Sequence, residues 1–254
     1  MSLFHAEDIS IRFGGIRAVD AVSFDVEPGE VFAIIGPNGA GKTTIFNLIS
    51  RIYNPTSGRL VFNERDITAT PAHHIASLGI ARTFQNIELF TNATLLQNLL
   101  IGRHCHTQAS FLAQLGFLPS VRREEIKHRE KVEDVIAFLG LERYRDTLIA
   151  NLPYGVRKVV ELGRALCTEP KLLLLDEPSS GLNLEETEVM GFWIDDIKND
   201  LGITVIMVEH DMNLVRQVSD RVMALNYGRI MALGTPAEVQ SHPEVIRAYI
   251  GGDA

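Results

Sequence analysis

The 254-residue sequence predicts an α/β fold. A mainly parallel sheet is flanked by helices and joined to an N-terminal antiparallel β subdomain and a helical subdomain. Three observations lead there. A glycine loop at residues 36–43 lies between an apolar strand pattern and a helical one. Unbroken apolar runs recur at 172–175 and 204–208, each beside a helical pattern, as in parallel sheets covered on both faces. Residues 1–30 instead alternate apolar and polar and carry turn signals, as in antiparallel strands.

Residues 9–13 and 21–26 read as strands, with Glu27-Pro28-Gly29-Glu30 as a turn. Residues 31–35 are a short buried strand, 44–49 the helix after the loop, and 58–63 a further strand. Residues 71–80 and 94–140 read as mostly helical, with Gly116 and Pro119 breaking the longer stretch. Within it, 122–134 is a charge-rich helix with a solvated face. On the helix at 185–198, Val189, Trp193 and Ile197 form a stripe expected to face the core. A last helix, 237–250, is expected to pack back through Val239, Val245, Ile246 and Tyr249. These elements form one large domain over 1–254: an antiparallel part at 1–30 and 57–68, a helical part at 86–155, and a core from the rest.

Composition narrows the function. The formal net charge is −8 without a basic run, so no nucleic-acid partner is expected. Cys105 and Cys167 make no disulfide framework, which fits a reducing compartment. The amino terminus lacks a basic end followed by an apolar stretch, so no signal peptide is expected. The apolar runs are too short to span a membrane.

Residues 36–43 read Gly-Pro-Asn-Gly-Ala-Gly-Lys-Thr. This is Gly-x-x-x-x-Gly-Lys-[Ser/Thr], a phosphate cradle, and it needs the strand before it and the helix after it. Gly36, Gly39 and Gly41 let the backbone approach phosphate oxygens, and Pro37, Asn38 and Ala40 complete the loop. Lys42 is expected on the β- and γ-phosphates, Thr43 on Mg²⁺, and the Thr44 backbone near the α-phosphate. The run at 172–175 ends in Asp176-Glu177. Asp176 is expected to hold Mg²⁺ and Glu177, on the opposite side of the pleat, to act as general base; a plain strand end is the other reading. His210, after the run 205–208, can donate to a phosphate oxygen while holding water and base in register. Arg103-His104-Cys105-His106 reads as a helix surface, because ligands so tightly spaced do not converge on a metal. His73, His74 and His128 read as surface residues.

Together these residues resemble the nucleotide-binding subunit of ATP-binding cassette (ABC) transporters, a P-loop NTPase family, over nearly the whole chain. By that resemblance residues 36–43 are the first Walker motif, and 172–176 with Glu177 the second motif and catalytic glutamate. Gln85, in Arg82-Thr83-Phe84-Gln85-Asn86, is implied as the Q-loop glutamine that contacts Mg²⁺ and water. Residues 179–183 are implied as the D-loop and His210 as the switch histidine. Phe13 sits where the family stacks a ring on adenine; a core phenylalanine is the other reading. The signature segment departs from the family's Leu-Ser-Gly-Gly-Gln, for this chain has Leu152-Pro153-Tyr154-Gly155-Val156. Gly155 and the following helix still offer N–H groups to the nucleotide of an opposite subunit. Tyr154, Arg157, Lys158, Arg164, Ala165, Asn183 and the long insert around 102–131 suit the branched-chain amino-acid importer branch, whereas Val156 departs even there.

The resemblance implies an ATPase that uses ATP and Mg²⁺ and pairs with a copy of itself or a paralogue. It implies transmembrane permease partners, with a permease helix near residues 85–94, and indirectly a solute-binding protein. The place implied is the cytoplasmic face of the inner membrane. The alternative is a soluble ABC ATPase that serves as an assembly or regulatory partner without transport.

Overall fold

A computed structural model describes residues 2–107 and 119–250. The chain opens with two long antiparallel strands, β1 (Phe4–Phe13) and β2 (Ile16–Val26). Both are longer than their sequence suggests, because a bulge interrupts the alternation of each. Asp8 and Ala21 adopt φ of 47° and 51°. Their N–H groups donate to the hydroxyls of Ser23 and Ser10, each at 2.8 Å. The buried strand β3 (Val31–Ile35) and helix α1 (Lys42–Ile49) flank the glycine loop. Strands β4 (Ser57–Phe62) and β5 (Arg65–Asp66) then complete a four-stranded sheet in the order β2-β1-β4-β5.

Residues 71–80 depart from expectation. They form two 3₁₀ turns, Ala72–His74 and Ala76–Leu78, and lead into β6 (Ile80–Arg82). Parallel pairing of Ile80 with Leu172 replaces the helical pattern at the last of these residues. The helical part contains α2 (Leu95–Gly102), a 3₁₀ turn at Arg103–His106, α3 (Pro119–Phe138) and α4 (Tyr154–Leu166). Gly116 lies outside the described residues. Pro119 is the first described residue of α3.

Beyond these come β7 (Leu172–Asp176), α5 (Leu184–Asn199), β8 (Thr204–Val208) and α6 (Met212–Val218). The hairpin β9 (Arg221–Asn226) and β10 (Arg229–Gly234) precedes α7 (Pro236–Ser241) and α8 (Pro243–Ile250). The six-stranded sheet runs β10-β9-β3-β8-β7-β6. All its neighbours are parallel except β10 on β9.

The pleat of β3, β7 and β8 divides two cores. Val31, Ala33, Ile35, Leu173, Leu175, Val205 and Met207 face a core shared with α2, α4 and α5. Phe32, Ile34, Leu172, Leu174, Ile206 and Val208 face one shared with α1 and the antiparallel sheet.

Two helical expectations are corrected. On α5 Ile197 is buried and Trp193 packs against the core as expected, while Val189 is exposed and Met190 and Ile194 complete the core stripe. The C-terminal helix is two helices, because Pro243 cannot donate to the ladder. Val239 and Val245 are buried, whereas Ile246 and Tyr249 are exposed. No described helix is long and apolar enough to cross a membrane.

Leu174 is fully buried on β7, a strand paired on both sides. Leu174→Ala is expected to cost about 3 kcal/mol and to lower Tm by about 8 °C, as read by calorimetry on the purified chain.

Candidate active site

The glycine loop is shaped by what surrounds it. Gly36 and Gly41 take φ of 150° and 105°. A Cβ on the first would collide with the Leu225 carbonyl, and on the second with the Ala18 carbonyl. The β9–β10 turn, which the sequence reading missed, props the loop from below. Tyr227 and Gly228 both have positive φ there, and Gly228 donates its N–H to the Ala40 carbonyl at 2.9 Å. Helix α1 starts at Lys42 with Gly41 as its cap and no side-chain cap. Its first N–H groups therefore carry the helix's positive end toward the loop. Lys42 is buried and donates to the Gly36 carbonyl at 2.7 Å and the Pro37 carbonyl at 3.1 Å. Burial lowers its pKa, and the Glu177 and Asp176 carboxylates oppose that shift. Thr43 is exposed and Thr44 half-buried at the same end of the helix.

The strand ends bring the acids. Asp176, the last residue of β7, is buried and its Oδ2 accepts from Arg82 Nη2 at 2.8 Å. Glu177 has left the strand with φ of 49°, a conformation that an L residue adopts only under local constraint. Simple alternation along a pleat therefore does not describe it, and both carboxylates act on Lys42. Glu177 Oε2 accepts from Gln85 Nε2 at 2.8 Å and lies 3.9 Å from His210 Nδ1. The structure thus brings Gln85, Glu177 and His210 together beside Asp176. Thr43, Asp176 and Gln85 present a hydroxyl, a carboxylate and a carboxamide, an all-oxygen set suited to Mg²⁺. Asp176 Oδ1 carries none of the described hydrogen bonds, and the donor set fits the ion.

Phe13 and Gly155 stand apart. Phe13 is 44% exposed and meets Tyr53 edge-on at 5.0 Å, so it is not a core residue. Pro153 caps α4 without a side-chain bond. Tyr154 Oη donates to the Ser180 carbonyl at 3.3 Å, and the Glu186 carboxylate abuts Gly155. Among the described residues no hydrogen bond or ring contact joins Gly155 or Phe13 to the glycine loop. Asn183 caps α5 in a reciprocal box with Glu186.

Several functional contacts were not legible in sequence. The helix after the signature segment grips the backbone around Gln85. Lys158 Nζ donates to the Gln85 carbonyl at 3.2 Å, Glu161 accepts from Phe84 N–H at 3.3 Å, and Arg164 donates to the Glu88 carbonyl. Burial lowers the pKa of Lys158 and raises that of Glu161. Glu209 is fully buried and accepts N–H bonds from Ser179 at 2.8 Å, His210 at 2.8 Å and Asp211 at 3.1 Å. An acid beside a histidine at the end of a buried strand is the one signal that could have found it.

The Arg103–His106 turn is a structural tie. Arg103 is buried, donates to the Cys167 carbonyl at 2.7 Å and pairs with Glu169 at 3.0 Å. His128 is half-buried and accepts from Arg103 at 3.3 Å, so it is not a plain surface residue. Among the described residues no group of three or more His, Cys, Asp or Glu side chains could hold a metal ion.

Known proteins share this arrangement of elements. The sequence model of the ABC transporter family matches residues 19–180, and the model described as "Branched-chain amino acid ATP-binding cassette transporter" matches residues 229–254. The high-affinity branched-chain amino acid transport ATP-binding protein BraF of Pseudomonas aeruginosa is 38% identical over 98% of each chain. LivG of Escherichia coli K12, described in the same words, is 36% identical over 98% of each. The crystal structure of the ADP conformation of MJ1267, an ATP-binding cassette of an ABC transporter, superposes with a TM-score of 0.87. It shares 35% identity, with 99% of each chain covered.

The three amides on Glu209 lead to an expected stability loss. Glu209→Ala leaves them buried without an acceptor, which is expected to cost about 3 kcal/mol in denaturant unfolding and to speed hydrogen exchange at Ser179, His210 and Asp211.

Proposed function

This chain belongs to the ABC transporter family, and on that premise we propose that it binds and hydrolyses ATP to drive a membrane importer of branched-chain amino acids or related small polar solutes. The observation that carries the reading is the placement of Lys42 at the start of α1 and of Asp176 and Glu177 at the end of β7, with Gln85 hydrogen-bonded to Glu177. The relatives named above are transport ATP-binding proteins, which favours the importer over a soluble assembly partner.

The phosphates of ATP lie in the loop 36–43, against main-chain N–H groups and the N-terminal end of α1. Lys42 exchanges its carbonyl partners for the β- and γ-phosphates. Phe13 offers its exposed ring to adenine. Mg²⁺ held by Thr43, Asp176 and Gln85 supplies charge neutralisation at the transferred phosphoryl group. Glu177 takes a proton from the attacking water as the water oxygen bonds to the γ-phosphorus and ADP leaves. Gln85 and His210 fix the direction of the Glu177 carboxylate and the position of that water.

One chain does not complete this site, since Gly155 and the first turn of α4 belong to a surface away from its own loop. We infer a head-to-tail pair with a copy or a paralogue, in which each loop meets the other chain's Gly155. ATP then adds attraction only in the closed pair and favours closure. Pro153 supplies neither the hydroxyl nor the N–H of the family's serine, so backbone groups from Gly155 onward carry the contact. The pair sits peripherally on permease subunits, with residues 85–94 receiving a permease helix. The cytoplasmic face of the inner membrane is the proposed location, with a solute-binding protein on the far side.

Glu177→Gln is expected to retain ATP, to accumulate a closed dimer in size-exclusion chromatography, and to lose hydrolysis by about a hundredfold or more. Turnover at the wild-type rate would refute the base assignment. Lys42→Ala is expected to lose nucleotide affinity in calorimetry, and unchanged ATP binding would count against the cradle.

A further inference from the structure

Arg82 connects three parts of the candidate site that nothing else among the described residues brings together. It ends β6, immediately before the segment that carries Gln85. Its Nη2 donates to Asp176 Oδ2 at 2.8 Å, with side-chain exposures of only 9% for Arg82 and 4% for Asp176. Its Nη1 donates to Asn47 Oδ1 at 2.7 Å and Ser50 Oγ at 2.9 Å, both at the far end of α1. The guanidinium also lies 5.5 Å from the Phe46 ring centroid and 5.3 Å from that of Phe84. Its Nε is buried without a hydrogen-bond partner.

So many fixed contacts leave the guanidinium no room to swing aside. It is a resident cation on the carboxylate proposed to hold Mg²⁺. We propose that Arg82 is a positioning residue that presents Asp176 in a fixed orientation and tempers its charge, so that metal binding at the nucleotide site is weaker and more readily reversed than an unpaired aspartate would make it. The inference rests on the proposed role of Asp176. One carboxylate oxygen is occupied by Arg82 while Oδ1 carries none of the described bonds, so an ion reaches Asp176 without displacing the arginine. A unit cation roughly 6 Å from a divalent ion opposes its binding by about tenfold even at the dielectric of water. Such a counter-charge suits a site that must release its metal with product in every cycle.

Mn²⁺ binding to the ADP-saturated full-length protein, followed by loss of the free-ion signal in electron paramagnetic resonance, tests this without reference to turnover. Arg82→Gln removes the charge from a polar side chain, and is expected to bind Mn²⁺ about tenfold more tightly. Arg82→Lys keeps the charge and is expected to return most of the way to the wild-type value. A merely structural role would weaken the metal in both variants. Unchanged or weaker Mn²⁺ binding in Arg82→Gln overturns the proposal. If Arg82→Gln does not fold, Arg82→Met, which retains stacking between Phe46 and Phe84, is read against the same expectation. Asp176→Asn is the control for the underlying assignment. If it binds Mn²⁺ as wild type does, the metal role of Asp176 fails and the Arg82 proposal with it. If it binds weakly while Arg82→Gln matches wild type, only the Arg82 proposal fails.

Discussion

The molecule depends on the pleat of its three central parallel strands. Val31–Ile35, Leu172–Asp176 and Thr204–Val208 are buried on both faces, so every apolar side chain along them commits to one core or the other. One face takes α1 and the antiparallel sheet, the other the helical part. Because both faces are filled, the strands cannot slip by a residue without exchanging the two cores. That constraint fixes where the strands end, and the strand ends are where the glycine loop, Asp176 and the segment before His210 begin. The chemistry is placed by packing rather than by the polar residues themselves.

Around those ends, polar contacts are made chiefly to main chain. Glu209 gathers amides from two loops. Lys158, Glu161 and Arg164 reach the backbone of residues 84–88 from a single helix. Glu177 sits at a positive φ between them. Conformations of that kind persist only where the surroundings over-determine them, and here the surroundings are the hydrogen bonds of Gln85 to its side chain and of Val208 to its backbone.

How much of this is written legibly in the sequence follows from the range of the interaction. Residues 36–43 are readable because the loop, its strand and its helix are contiguous. β7 and β8 are readable because burial on both faces leaves an unbroken apolar run. β1 and β2 are read short because the bulges at Asp8 and Ala21 shift the alternation by one residue. β6 goes unread because its pairing partner Leu172–Asp176 lies some ninety residues away. The Arg82–Asp176 and Gln85–Glu177 bonds span the same gap. The Q-loop glutamine was nevertheless expected through family resemblance, whereas Arg82 had no such guide. The exposure of Val189 concerns which side of a helix meets the core, a choice made by neighbours and not by the helix, whereas the break at Pro243 follows from the residue itself.

The grip of α4 on residues 84–88 has a further consequence. It fastens peptide groups, so apart from Gln85 it makes no demand on side-chain identity in that stretch. With the proposed permease helix docked there, the side chains it meets can change residue by residue while the backbone ties to α4 stay intact. In that proposal the tie to α4 belongs to peptide groups and recognition to side chains of the same short segment, so the two can vary independently.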